Sequence, residues 1–285
     1  MEPEAYARAL LERLTITGVP DVRAIASALK VRVHEKALER CDGMLVRVKG
    51  TAKGVIAVKN SIREETRKLF TIAHELGHLL MPGHDDYGIC GTEAIESWAK
   101  DLRTREREAN AFAAELLMPL SLVTQLVAAA EPSFAPIERL AATFHTSLTA
   151  SGYRFAAVTS HSVALVWSKD GRVRWAKWSE EFKEWLRLRE AVDPRTCAAD
   201  LFRGNQVAQG LQQVPADAWL ESAATDATLL EESRLLPAYS AVLTVLWARE
   251  PLSERDEADE LLSPLNPDEF LIRRTRRPTK RGSDA

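Results

Sequence analysis

The stretch Leu69-Phe70-Thr71-Ile72-Ala73-His74-Glu75-Leu76-Gly77-His78-Leu79-Leu80 contains His-Glu-x-x-His. On an α-helix, residues four apart share a face and lie about 6 Å apart along the axis. His74 and His78 can therefore hold one metal ion. Glu75 is turned about 100° round the axis, near enough to take a proton from a water on that metal but badly placed to ligate it. Two imidazoles beside a carboxylate base are what a hydrolytic zinc site requires. The bland alternative is a pair of solvent-facing histidines on an ordinary helix. Against it stands an apolar stripe at helical spacing, Leu69, Ala73, Leu76 and Leu80. The helix also has a start signal, Ser61 with Glu64 as a capping box, and a stop signal, Met81-Pro82-Gly83.

Outward toward the N-terminus, Pro3 to Leu14 reads as a helix through Tyr6, Ala9, Leu10 and Leu14, and Asp21 to Leu29 as a second, shorter one. The period then changes. Val31 to Glu35, Met44 to Val48 and Val55 to Val58 are short β-prone runs broken by Asp42-Gly43 and Lys53-Gly54, which predicts a small three-stranded sheet. The Val55–Val58 strand leads into the motif helix. It is the candidate for an edge that pairs with an extended peptide over the metal, the alternative being a structural sheet with a covered edge.

Toward the C-terminus, Pro82 to Gly91 reads as a loop and Thr92 to Met118 as a helix stopped by Pro119. A two-histidine site needs a third protein ligand. The candidates are Glu93, Glu96, Asp101, Glu106, Glu108, Glu115 and His84. On a helical wheel Leu102, Glu106, Ala109, Asn110, Ala113 and Leu117 share one sector, apolar except for Glu106 and Asn110. A carboxylate on an inward face must be paired or bound to metal, and the small Ala109 and Ala113 let the two helices approach. Glu106 is thus the expected third ligand and Glu108 the runner-up; otherwise Glu106 pairs with Arg67 or Arg103. Asn110, one turn on, is placed to bond a metal-bound imidazole or to steady the ligand carboxylate.

The segment Phe70 to His78, followed by Glu106-Arg107-Glu108-Ala109-Asn110-Ala111-Phe112-Ala113-Ala114-Glu115-Leu116-Leu117-Met118-Pro119, resembles the ImmA/IrrE family of zinc metallo-endopeptidases. The likeness is close over roughly residues 20 to 120 and looser through the helical segment beyond. It implies that His74, His78 and Glu106 bind zinc and that Glu75 is the base. It also implies an intracellular substrate of the helix-turn-helix repressor type, whose cleavage lifts repression of mobile-element or stress genes.

Composition sets the surroundings of the site. With 285 residues the chain has room for about two domains. Its apolar and charged fractions, 46% and 28%, are those of a globular protein, and a net charge of -3 gives no global drive toward nucleic acid. Cys41, Cys90 and Cys197 are odd in number and widely spaced, which suggests a reducing compartment without a disulfide framework. Met-Glu-Pro-Glu-Ala carries no signal-peptide pattern, and the longest apolar-rich run, Ala238 to Ala248, is too short to cross a membrane. A cytoplasmic protein is expected.

Beyond the motif helices, Pro136 to Ala150 reads helix, turn, helix, the second helix running to about Phe155 with Arg154 as its only cation. A recognition helix needs more base-reading side chains, so a structural or repressor-mimicking role is favoured over DNA binding. Ala156 to Thr159, Val163 to Trp167 and Val173 to Ala176 look strand-like, with a hairpin turn at Lys169-Asp170-Gly171-Arg172. Ser179 to Arg189 looks helical, Val207 to Leu211 and Ala218 to Leu220 strand-like, and Leu236 to Trp247 a buried strand with its lead-in. The tail is acidic over Ser253 to Glu260 and basic over Arg273 to Arg281.

The expected organisation is α+β. A zincin-like metallopeptidase domain spans 1–130 and a helix-turn-helix-like segment 131–155. A mixed α/β domain follows over 156–250, then a polar tail over 251–285. The expected function is that of a zinc-dependent endopeptidase, with Mn²⁺ also compatible with such ligands. The substrate is a repressor-like protein and no membrane is involved. Tyr87, His84 and His145 are weak candidates for a second oxyanion donor. The competing class is a regulatory module that grips a repressor or DNA around a structural metal; such a site has no use for a base at Glu75.

Overall fold

The computed structural model describes residues 2–39, 41–47, 53–84, 90–91, 104–127, 129–182, 187–221, 223 and 226–249. The tail and the expected helical residues 92–103 lie outside them, as do Tyr87, Glu93, Glu96, Asp101 and Arg103.

Helix α1 (Pro3–Arg13) starts with proline where a missing N–H costs nothing and buries Ala7, Leu10 and Leu11. Helix α2 (Val22–Ala28) is capped by Asp21, whose Oδ1 accepts from the N–H groups of Arg23 and Ala24 at 2.9 and 3.1 Å. Strands β1 (Arg32–Lys36), β2 (Cys41–Arg47) and β3 (Gly54–Lys59) follow. With β4 (Cys90–Gly91) they form a four-stranded sheet in the order β1-β3-β2-β4.

This corrects the expectation for Val55 to Val58. Strand β3 lies in the middle, parallel to β1 and antiparallel to β2, with Val33 and Leu45 both registered on Ile56. The cause is legible in the run itself: three consecutive buried residues, Ile56, Ala57 and Val58, are the pattern of a strand covered on both faces.

Helix α3 (Glu65–Leu80) carries the motif. Its N-cap is Glu64 with no side-chain cap bond, so the expected capping box is absent and Ser61 sits in the preceding turn. The first turn is instead tied to α2 by Arg23, whose Nη2 lies 2.7 Å from Glu65 Oε1. From Thr71 to Leu79 every residue is buried, so α3 runs through the core rather than along its surface.

Helix α4 (Thr104–Leu117) packs on α3 at close range. A Cβ on Gly77 would stand 3.1 Å from the Phe112 ring and 3.3 Å from the Ala109 Cα. Ala109 and Ala113 are fully buried, as the wheel predicted. Phe112 fills the seam; truncating a buried phenylalanine costs about 3–5 kcal/mol.

Helices α5 (Leu120–Val127), α6 (Phe134–Phe144) and α7 (Leu148–Ala156) follow. The turn between α6 and α7 is the expected one: His145 takes a left-handed conformation and the Ser147 hydroxyl caps α7 through the Ala150 N–H. Ala156 to Thr159 is the end of α7 and a turn, not a strand: the N–H groups of Val158 and Thr159 both bond back to the Phe155 carbonyl, which holds the chain in the helical turn. Next come β5 (Ser162–Lys169), β6 (Arg172–Trp178), α8 (Cys197–Phe202), β7 (Gln212–Pro215), β8 (Thr228–Leu236) and β9 (Ala241–Ala248). They build an antiparallel sheet in the order β6-β5-β9-β8-β7. Asp170 and Gly171 both have positive φ, 53° and 68°, as a two-residue hairpin turn demands.

The apolar residues fall into three clusters. The first joins α1 to α4 and the first sheet around Ile25, Ile56, Ile72, Leu76 and Phe112. The second lays α5, α6 and α7 on one face of the larger sheet, with Phe134, Ile137 and Phe155 against Val163, Leu165 and Val245. The third covers the other face, with Trp219 and Leu220 against Ala164, Val166 and Leu246. Odd and even residues of β5 thus serve different cores.

The sequence misread four segments here. The described residues between Ser179 and Arg189 form turns and an isolated bridge from Leu188 to Leu220, not a helix. Strand β7 begins just after the expected Val207–Leu211 run. Residues around Ala218 form a 3₁₀ turn, Ala216–Ala218. Strand β8 is unexpected because Glu231, Glu232 and Arg234 hide its alternation. Glu231 is fully buried and accepts from the Ala198 N–H at 2.8 Å, the Trp219 indole at 2.9 Å and the Ser233 hydroxyl at 2.7 Å. Burial pushes its carboxyl above the ordinary range. Among the described residues no single helix is long and apolar enough to cross a membrane.

Candidate metal centre

His74, His78 and Glu106 converge, all buried. His74 Nε2 and His78 Nε2 are 3.1 Å apart. The Glu106 oxygens lie 3.3 Å from His74 Nε2 and 3.8 Å from His78 Nε2. Atoms bound about 2.0–2.1 Å from a tetrahedral zinc stand about 3.3 Å from one another. The three donor atoms therefore sit where one ion can span them.

Hydrogen bonds on the outer ring nitrogens fix which nitrogen is free. His74 Nδ1 lies 2.9 Å from Asn110 Oδ1, an acceptor, so His74 Nδ1 donates and its Nε2 keeps a lone pair. His78 Nδ1 lies 2.8 Å from His84 Nδ1, and His84 Nε2 lies 2.9 Å from Glu108 Oε2. The Glu108 carboxylate accepts a hydrogen bond from the His84 Nε2–H, so His84 Nδ1 accepts from His78 Nδ1 and the His78 Nε2 lone pair also faces the site. Both imidazoles are set in the metal-binding tautomer by partners that do not touch the metal position. Replacing His84 with Asn removes the acceptor–donor relay to Glu108. It is expected to weaken metal binding by about 10–100-fold, measured by competition with a chromogenic chelator.

Electrostatics suits a cation. Burial alone would raise the Glu106 carboxyl, but the pull of His74 and His78, when their Nε2 atoms carry protons, outweighs it and holds the pKa at about 2; a cation between the same atoms would exert the same pull. Burial holds His78 below its ordinary 6.5 against the pull of Glu106. An ionised carboxylate beside a neutral imidazole is the protonation state a divalent metal needs.

Glu75 is 1% exposed and faces β2. A Cβ on Gly43 would lie 2.5 Å from Glu75 Oε1 and 2.6 Å from Thr71 Cγ2. Only glycine lets β2 pass this close to Glu75. Gly43→Ala is expected to push the Glu75 carboxylate off line and lower turnover by about 100-fold, since small misplacements carry such costs. Metal content should stay unchanged, and steady-state kinetics beside metal analysis checks both. Two arginines steady the surroundings. Arg67 Nε donates to the buried Asp42 at 2.6 Å, next to Gly43. Arg47 Nη2 donates to the carbonyls of Leu79, at 2.8 Å, and His78, satisfying the C-terminal end of α3.

Residues 26–156 match the family described as the IrrE N-terminal-like domain, a peptidase family. This stretch is similar to an IrrE N-terminal-like domain. A Mycobacterium tuberculosis transcriptional regulator of known structure is similar in fold, with a TM-score of 0.50 at 15% identity over 86% of this chain and 75% of that one. The likeness runs well past residue 156 and so takes in the second sheet. No curated protein matches the chain.

Within the matched stretch, the structure brings together His74, His78 and Glu106, with Asn110 on His74, while the buried Glu75 faces Gly43 of β2. Glu108, the runner-up ligand, bonds His84 instead. Glu115 points elsewhere, to Arg154 at 3.0 Å and Arg8 at 3.5 Å. Arg67, the alternative partner of Glu106, pairs with Asp42. His145 is exposed, and no hydrogen bond or ring contact joins it to the site among the described residues. Gly43, Arg47 and the orienting role of His84 were not foreseen. Gly43 had a signal, a glycine interrupting a β-prone run, which marks a close approach by another group.

Proposed function

We propose that the chain is a zinc-dependent endopeptidase acting on a protein, with His74, His78 and Glu106 as metal ligands, Glu75 as base and Asn110 orienting His74. The observation that carries this reading is that His74 Nε2, His78 Nε2 and the Glu106 carboxylate meet at one point, and that the glutamate next to His74 in the chain is buried where only a glycine of β2 fits. Bound there, zinc would supply Lewis acidity, lowering the pKa of water and polarising a carbonyl oxygen. Glu75 takes the proton of the attacking water and delivers it to the leaving amine nitrogen. His74 and His78, locked through Asn110 and through His84 and Glu108, keep their rings fixed while charge develops.

For the substrate, the reading is a helix-turn-helix repressor inside the cell, cleaved to release stress or mobile-element genes. The peptidase-family match and the fold shared with a transcriptional regulator support it. A DNA-binding role is less well supported: the only cation of α7, Arg154, is spent on the buried Glu115, and Gly152 packs within 3.0–3.1 Å of Leu165 for any added Cβ. We place the unit boundary near Met118, where the first apolar cluster ends and the second begins.

Co-expressing the chain with repressors encoded near its gene tests the assignment. Fragments that appear with the native chain and not with Glu75→Gln support it. Intact repressors in both cases would remove the repressor as substrate.

A further inference from the structure

A cavity of about 500 Å³ opens between the metal-bearing helices and the second sheet. Its volume is in the range of small-molecule sites, which favour such seams. One wall is aromatic: Trp167 stands edge-on to Trp175 at 5.9 Å and to Tyr239 at 6.1 Å, and Phe70 lines the cavity from α3. Trp167 also has an enclosed indole N–H with no hydrogen-bond partner among the described residues. Tyr239 is 48% exposed, so its ring is open to an occupant of the cavity.

The charged part of the remaining lining is mostly cationic. Arg67, Lys169 and Arg174 contribute to it, against a single carboxylate, Glu64. Arg67 is held by Asp42, and Arg174 lies 3.4 Å from Asp170, while Lys169 has no ion pair among the described residues. The first turn of the nine-residue α7 also lines the cavity. Ser147 takes the Ala150 N–H, so the N–H groups of Leu148 and Thr149 have no intrahelical acceptor and present the positive end of the helix.

We propose that this cavity binds a small molecule made of a flat aromatic ring and an acidic group. The ring is received by Trp167, Trp175 and Tyr239, and the acid by Lys169, Arg174 and the start of α7. The Phe70 ring lies 6.3 Å from the His74 ring, one helical turn away, so an occupant would touch the helix that carries the metal ligands. The inference does not depend on the peptidase reading.

Anilinonaphthalene sulfonate, an aromatic sulfonate, serves as probe in calorimetric titration of the full-length protein, with the uncharged N-phenylnaphthylamine as its counterpart. One saturable site is expected. Lys169→Glu and Tyr239→Ala, both at exposed positions that leave the cores untouched, should each weaken sulfonate binding by about tenfold. The uncharged compound should bind more weakly than the sulfonate and should not respond to Lys169→Glu. Absence of a saturable site, equal binding of the two compounds, or indifference to both substitutions would overturn the proposal.

Discussion

Glu75→Gln should abolish cleavage and leave the metal in place. The substitution keeps size and hydrogen-bonding reach, so the packing against Gly43 survives. What it removes is a carboxylate able to take a proton. A positioned general base contributes about 10²–10⁴-fold, and in the proposed mechanism the same group also protonates the leaving amine, so the loss should reach the upper end of that range. Metal content, read by atomic absorption, should match the native chain because Glu75 stands outside the His74, His78 and Glu106 set. Normal cleavage by the variant would remove Glu75 from the mechanism.

Glu106→Ala is expected to empty the site. It removes the one anionic donor among three and leaves two neutral imidazoles, 3.1 Å apart at their Nε2 atoms, to hold the ion. Affinity should fall well beyond the roughly 100-fold upper limit for losing an orienting partner, and activity should fall with it. Glu108→Gln is the contrast: its Oε2 bonds His84, so the effect should stay in the range of His84→Asn. If Glu108→Gln lost more metal than Glu106→Ala, the third ligand would be misassigned.

The pH dependence has a definite sign. His78 is held below 6.5, so its neutral, metal-competent form persists as pH falls through 6.5. Glu106, with a pKa of about 2 against the ordinary 4.5, stays ionised over the same interval. Metal should be retained at pH 6.5 and released only on further acidification, as followed with a chelating dye. The folded-state contribution of Glu106 is fully present above 4.5 and is lost as pH falls toward about 2.

Much of this centre was written in local periodicity. His74 and His78 needed only the four-residue step of a helix, and Glu106 and Asn110 only the wheel of the next helix, because an isolated polar pair in an apolar sector has few physical uses. His84 was harder. It lies in a turn, where no periodicity constrains direction, and its role depends on Glu108 from a helix 24 residues on. Strand β3 was misplaced because pairing order is a nonlocal property; its three consecutive buried residues held the clue. Strand β8 was missed because its buried Glu231 looks polar in sequence, and only the N–H groups of α8 and the indole of Trp219 make it tolerable inside. The helix-turn-helix layout was legible from Phe144 and Ser147, since a turn needs a left-handed residue and a cap, both present at His145 and Ser147.

Glu115 is 1% exposed and sits where α1, α4, α5 and α7 meet. It is bonded to Arg154 at 3.0 Å, approached by Arg8 at 3.5 Å and by the Leu120 N–H at 3.3 Å. Leaving a buried charge without its partner costs about 3–5 kcal/mol. A fragment ending at Met118 would keep every metal ligand yet lose Arg154 and the Leu120 amide together. The two halves of the molecule share this one anion as a common keystone. Helices α5 to α7 are therefore not a detachable addition to the metal-bearing part: they lie inside the matched stretch 26–156, and cutting them away would call for a new counter-charge for Glu115.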